Sequence, residues 1–135
     1  MKETYIDIAI KHYEKRIKNL NVWLDNLSAD KFMTCFDRKE SSNFSLPLIL
    51  KNKDKCLWSS VLNILEELNI EYRVGTAGGG NQERQPYLRE GKYKYRVQGK
   101  LNKANHIHEY GLYLGNHTEV NSKMILDLCR RLNNV

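Results

Sequence analysis

The feature that most limits what this chain can fold into is a long amphipathic stripe at its start. Ile6, Ile10, Tyr13, Ile17, Leu20, Leu24 and Leu27 recur at spacings of three and four, while Lys11, Glu14, Lys15 and Lys18 take the other positions. That period gathers the apolar residues on one side of a helix, so 1–27 is predicted to be a single long helix that must lay one face against something else. No cap or preceding strand is evident before it, and it reads as a helix entered from upstream.

Shorter elements follow. The stretch 28–40 is mixed and irregular, with Phe32, Met33 and Phe36 as core contacts, and 43–50 reads as a strand. Pro47 lies inside that strand and removes a ladder donor, which argues for a sheet edge or a bulge. Asn52 to Asp54 make a turn, and Asp54 is placed to cap a helix running to about Leu68 with Leu57, Trp58, Val61, Leu62, Leu65 and Leu68 as its apolar face. Ile70 to Val74 is a short strand, and 93–97 is a further strand candidate. A helix over 102–110 is expected to stop at Gly111 in the C′ position, followed by a strand over 112–114. A last helix carries Val120, Met124, Ile125, Leu128 and Leu132, with Thr118 or Asn121 as its cap. The expected class is α/β or α+β. It is a small, mostly antiparallel or mixed sheet with helices packed on one face, preceded by the long helix.

Composition bounds this picture. The chain has 135 residues and is 41% hydrophobic, enough for one domain with its own core. Cys35, Cys56 and Cys129 are odd in number and form no Cys-x-x-Cys pair, so reduced thiols are expected rather than a disulfide framework or zinc ribbon. No signal peptide and no apolar run long enough for a bilayer is present, and a soluble, cytoplasmic protein is expected. The formal net charge is +6, and the excess is local. Arg84, Arg89, Lys92, Lys94, Arg96, Lys100 and Lys103 stand against Glu83 and Glu90, with Tyr87, Tyr93 and Tyr95 interleaved. Such a mixture can hold phosphates and stack bases. Nucleic-acid recognition motifs are absent, however, and a nucleotide or sugar phosphate needs far fewer cations.

Helix and strand patterns do not account for Gly75 to Tyr87. Gly75, Gly78, Gly79 and Gly80 imply positive φ angles or close approach of another backbone, and the polar groups of Asn81, Gln82, Arg84 and Gln85 suit a polar ligand. A flexible connector would have a similar composition. The loop is neither a P-loop nor a dinucleotide fingerprint, and Pro86 holds Gln85 extended where the loop ends. His106 and His108, two apart on a helix, point about 200° away from each other, which does not favour a metal site with His117. No Ser-His-Asp or Cys-His signature is present either.

The runs Arg73-Val-Gly-Thr-Ala-Gly-Gly-Gly-Asn-Gln-Glu-Arg-Gln-Pro-Tyr87 and Ala104-Asn-His-Ile-His-Glu-Tyr-Gly-Leu-Tyr-Leu-Gly-Asn-His117 resemble the C-terminal region of the DegT/StrS family. These are pyridoxal-phosphate-dependent nucleotide-sugar aminotransferases and dehydratases of fold type I, which make amino and deoxy sugars for surface polysaccharides. The resemblance covers nearly the whole chain. It implies a linking helix over 1–27 and a small domain over 28–135, with the large catalytic domain absent. The Schiff-base lysine, or the histidine that replaces it in dehydratases, belongs to that large domain, so no catalytic residue and no metal ligand is assigned here. Pyridoxal phosphate would be bound only on completion by a large domain and not by this chain alone, and the expected partners are a nucleotide-sugar substrate and either a separately encoded large domain or a homodimer partner. The resemblance places Gly80, Asn81, Gln82, Arg84 and Gln85 near the substrate entrance and Gly115, Asn116 and His117 on a neighbouring turn. Arg84 would pair with a diphosphate, and Asn81 and Asn116 with sugar hydroxyls. The competing expectation is a non-catalytic basic module that binds nucleotides or nucleic acid.

Overall fold

A computed structural model describes residues 4–39, 41, 43–75, 80–91 and 93–135. The amphipathic stripe forms α1, Tyr5–Asn26. Contrary to the sequence expectation it has a cap: the Thr4 hydroxyl accepts from Asp7 N at 3.2 Å, and the Asp7 carboxylate accepts from Thr4 N at 2.9 Å. This is a capping box with Asp in the place usually taken by Glu or Gln. The stripe is also buried only in its second half. Leu20, Trp23, Leu24 and Leu27 are core residues, whereas Ile6 is 71% exposed, Ile10 49% and Tyr13 41%.

The sheet has three strands, β1 (Ser45–Ile49), β2 (Tyr72–Val74) and β3 (Gly111–Gly115), in the order β1-β3-β2. Both outer strands run antiparallel to β3. Pro47 therefore lies on an edge strand, where its missing N–H is tolerated. The bridge Phe32↔Leu50 and the bond Met33 N to Ile49 O at 2.9 Å extend the ladder just beyond β1. The register places Leu46, Leu48, Leu112, Leu114, Tyr72 and Val74 on one face and Pro47, Tyr113 and Arg73 on the other. The first face packs against α1, against α2 (Lys55–Glu67) through Val61, Ile64 and Leu65, and against α5 (Ser122–Asn133) through Ile125, Leu128, Cys129 and Leu132. Asp54 caps α2 by accepting from Leu57 N at 2.9 Å, and Asn121 caps α5.

Several expectations are corrected. Residues 93–97 form no strand, and they are exposed. An alternating run with no ladder partner gains no hydrogen bonds to offset its ordering. Met33 and Met124 are exposed rather than core, Leu68 is the C-cap of α2, and Ile64 takes the buried position in its place. The helix α4, Asn102–Tyr110, does not end on a left-handed glycine. Gly111 has φ −124° and opens β3 directly. Glycine is needed there because a Cβ would stand 2.5 Å from the Ile107 carbonyl oxygen. All three cysteines are free, and burial pushes the Cys129 thiol up to about 12.

Asn116, just beyond β3, joins the layers. Its Nδ2 donates to Arg16 O at 3.0 Å and Asn43 O at 2.9 Å, while its Oδ1 accepts from Asn19 Nδ2 at 3.0 Å. Asn19 Nδ2 also reaches Val120 O at 3.1 Å. Both amides are 1% exposed, and losing one partner strands buried polar groups on two elements. Asn116→Ala should lower unfolding free energy by about 3 kcal/mol, read as a fall in the urea midpoint. A midpoint unchanged from the parent chain would contradict this assignment.

Candidate functional site

After β2 the chain must pass over α4, and two glycines govern how closely it does so. A Cβ on Gly75 would lie 2.6 Å from His108 Cα and 2.8 Å from His108 O. One on Gly80 would lie 2.9 Å from the same Cα and 3.1 Å from His108 Nδ1, and Gly80 has φ +90°. Both ends of the glycine loop thus rest on the backbone of one helical residue, an approach that side chains forbid. Thr76, Ala77, Gly78 and Gly79, with Lys92 further on, lie outside the described residues.

The residues after the loop dock on the same face of α4. Asn81 is 4% exposed; its Oδ1 accepts from Glu83 N at 2.9 Å and starts a 3-10 turn over Gln82–Arg84, and its Nδ2 donates to Asn105 Oδ1 at 2.7 Å. Arg84 Nη1 meets Glu109 Oε1 at 2.9 Å. Asn105, His108 and Glu109 are i, i+3 and i+4, neighbours on one helical face. Glu109 is a site residue that sequence reasoning missed. The i+4 relation to Asn105 is visible in the sequence, but the partner across the loop is not.

Arg84's hydrogen bond holds the Glu109 carboxyl below the usual carboxylate range, with the charges of Arg84, Lys53 and His108 adding to that effect. A depressed carboxyl keeps its pair above the usual range and loses it only as pH falls through the lowered value. His108 Nδ1 is inaccessible and has no hydrogen-bond partner among the described residues. His106 Nε2 lies 2.6 Å from Leu50 O, and its ring tilts against Tyr110 at 5.5 Å. No group of three His, Cys, Asp or Glu among the described residues is arranged to hold a metal ion.

Gln82, exposed, accepts through Oε1 from the Tyr87 hydroxyl. Gln85 is half-buried and extended at φ −73° and ψ 142°, and Pro86 occupies the first position of α3, Pro86–Arg89. Gly80 to Gln85 therefore form one docked unit. Gly115, Asn116 and His117 lie elsewhere, on the chain's central strand and the turn after it. Gly115 is the last residue of β3 and Asn116 and His117 follow it, at the end of the strand away from α4. The His117 ring lies against Gly115, where a Cβ would be 2.6 Å from Nε2. Asn116 directs its amide inward to α1 and to Asn43.

His117 and Gly115 border an apolar cleft of about 660 Å³, floored by Trp23, Leu114 and Ile125 and flanked by Tyr72 and Arg73. A smaller cleft of about 420 Å³ lies by Lys31, Asp54 and Cys56. A Schiff base with pyridoxal phosphate needs a free lysine amine facing the pocket. The larger cleft has no lysine in its lining, and Lys31 Nζ in the smaller one is tied to the carbonyls of Asn133 and Val135. Neither cleft therefore offers a free amine for a Schiff base among the described residues.

No protein-family model and no curated protein matches this chain. Solved structures do. The E. coli GDP-4-keto-6-deoxy-D-mannose-3-dehydratase with bound hydrated PLP superposes with TM-score 0.79 over 94% of this chain and 32% of its own, at 22% identity. A doubly substituted ColD matches with TM-score 0.79 over 94% of this chain and 33% of its own, at 22% identity. A GDP-4-keto-6-deoxymannose-3-dehydratase with a trapped PLP-glutamate geminal diamine gives TM-score 0.71, 89%, 31% and 22%. The chain has the fold of a portion of these enzymes and spans about a third of their length. The resemblance seen in the motifs extends to the fold.

The seat of the loop on α4 is testable. Gly80→Ala should cost about 2 kcal/mol or more through the left-handed φ and the contact with His108. The expected signature is faster amide exchange over 80–85 with the β1–β3 ladder still protected. Parent-like exchange in the loop would remove the steric reason for this glycine.

Proposed function

We propose that this chain is the small domain of a DegT/StrS-type nucleotide-sugar aminotransferase or dehydratase, working with a large domain outside these residues. The observation that carries the reading is the likeness of 94% of the chain to a portion of a dehydratase acting on a GDP-linked keto-deoxy sugar. The uncovered first half of α1 supports it, because Ile6, Ile10 and Tyr13 form an apolar strip that a linking helix would lay against a large domain. Pyridoxal phosphate and its lysine or histidine belong to that large domain. This chain supplies substrate contacts only, in the cytoplasm, for amino- or deoxy-sugar and surface polysaccharide synthesis.

Within that reading Gln82, Arg84 and Gln85 form the polar wall of the substrate entrance, and Arg84 takes the diphosphate. Gly80 and Asn81 shape the wall by docking it on α4. Asn116 acts through the frame, holding the turn that presents Gly115 and His117. Co-expression with a DegT/StrS large domain tests the assembly. A stable complex showing the cofactor's visible absorbance is expected, and separate elution of the two proteins would count against it. In the complex, Arg84→Ala should weaken affinity for a nucleoside-diphosphate sugar about tenfold, measured by calorimetry. Unchanged affinity would remove Arg84 from the wall.

The competing reading draws on the exposed Tyr93, Lys94, Tyr95 and Arg96. A basic nucleic-acid module would bind unrelated oligonucleotides with affinity falling steeply as salt is added. Such binding, together with indifference to nucleoside-diphosphate sugars, would favour it.

A further inference from the structure

The pair between Arg84 and Glu109 has a consequence for any anion that Arg84 binds. The guanidinium Nη1 is 2.9 Å from Glu109 Oε1, and both side chains are 41% exposed, so the pair faces solvent at the edge of the docked wall. Glu109 is fixed from below: it follows His108, on which Gly75 and Gly80 rest, and stands one turn from Asn105, the partner of Asn81. The carboxylate is carried by α4, while Arg84 belongs to the segment docked on that helix, so the two are presented to each other from separate elements. An arriving phosphate group then meets a guanidinium whose charge is already matched, and a carboxylate beside it that repels the newcomer.

We propose that Glu109 is a positioning residue that sets the anion affinity of this wall, holding Arg84 against α4 as an internal competitor of the diphosphate. The inference rests on the reading of Arg84 as the diphosphate ligand. Glu109 both aims the guanidinium and lowers its hold on phosphate, so that a diphosphate binds by exchanging with the carboxylate. A purely structural role makes the opposite forecast, since loss of a structural contact loosens the wall and weakens binding.

Calorimetric titration of the full chain with inorganic pyrophosphate separates the two. Glu109→Gln should bind about two- to fivefold more tightly than the parent, the scale of one exposed charge contact. Glu109→Asp should restore near-parent affinity, and Arg84→Ala/Glu109→Gln should lose the gain. Glu109→Ala reads the same competition if the glutamine variant does not fold. Equal or weaker binding by a folded Glu109→Gln chain overturns the proposal, as does a gain that survives removal of Arg84, because the effect would then pass through Lys53 or His108. Unchanged affinity in Arg84→Ala alone refutes the diphosphate reading itself, a separate failure.

Discussion

Two buried amides hold this fold together. Asn116 and Asn19 bond to each other in the buried interior and spend their remaining donors on carbonyls of α1, of the segment entering β1 and of the segment before α5. A helix of 22 residues lying on a three-stranded sheet could slide along its apolar stripe with little change in buried area, since hydrophobic contact is not directional. Hydrogen bonds are directional, and a buried amide that loses its partner is costly. Here they fix the position of α1 along the sheet, and Trp23 adds a second fix by donating from Nε1 to Pro47 O at 2.7 Å.

At the opposite end of β3 the same logic works through sterics. Gly75 and Gly80 let the chain touch His108, and this contact brings Asn81 and Arg84 within reach of Asn105 and Glu109. The polar wall is thus a surface feature with a rigid support, α4, which runs without a break into the central strand. The two sets of motif residues occupy the two ends of that strand.

Among the described residues, the first half of α1 and the apolar cleft beside β2 and α5 are both uncovered. Their character differs. The strip on α1 continues a helix whose second half is already core, so it extends an existing packing pattern. The cleft lies beside the three-residue strand β2, and Leu114 and Ile125 are among its lining residues.

Much of the architecture was legible in the sequence because it depends on local chemistry. The 3.6-residue period of α1, the cap at Asp54, the edge placement implied by Pro47 and the class of a small antiparallel sheet with helices all follow from nearest-neighbour rules. The motifs around Gly75 and Gly115 also pointed to the fold that superposition then displayed. Two local features were missed for want of a common signature, the cap at Thr4 and the role of Gly111, and the other misses are set by partners distant in sequence. The capping box at Thr4 uses an uncommon residue, and the alternation over 93–97 found no strand to pair with. Gly111 serves a close approach to Ile107 rather than a left-handed turn. Asn81 and Asn116 look alike as polar residues beside glycine, yet one docks a loop on α4 and the other joins a helix to the sheet. Period, propensity and caps act over a few residues and are written in the chain. The partner of a buried amide, or of an arginine across a loop, is chosen by packing between segments far apart in sequence, and only the tertiary structure fixes it.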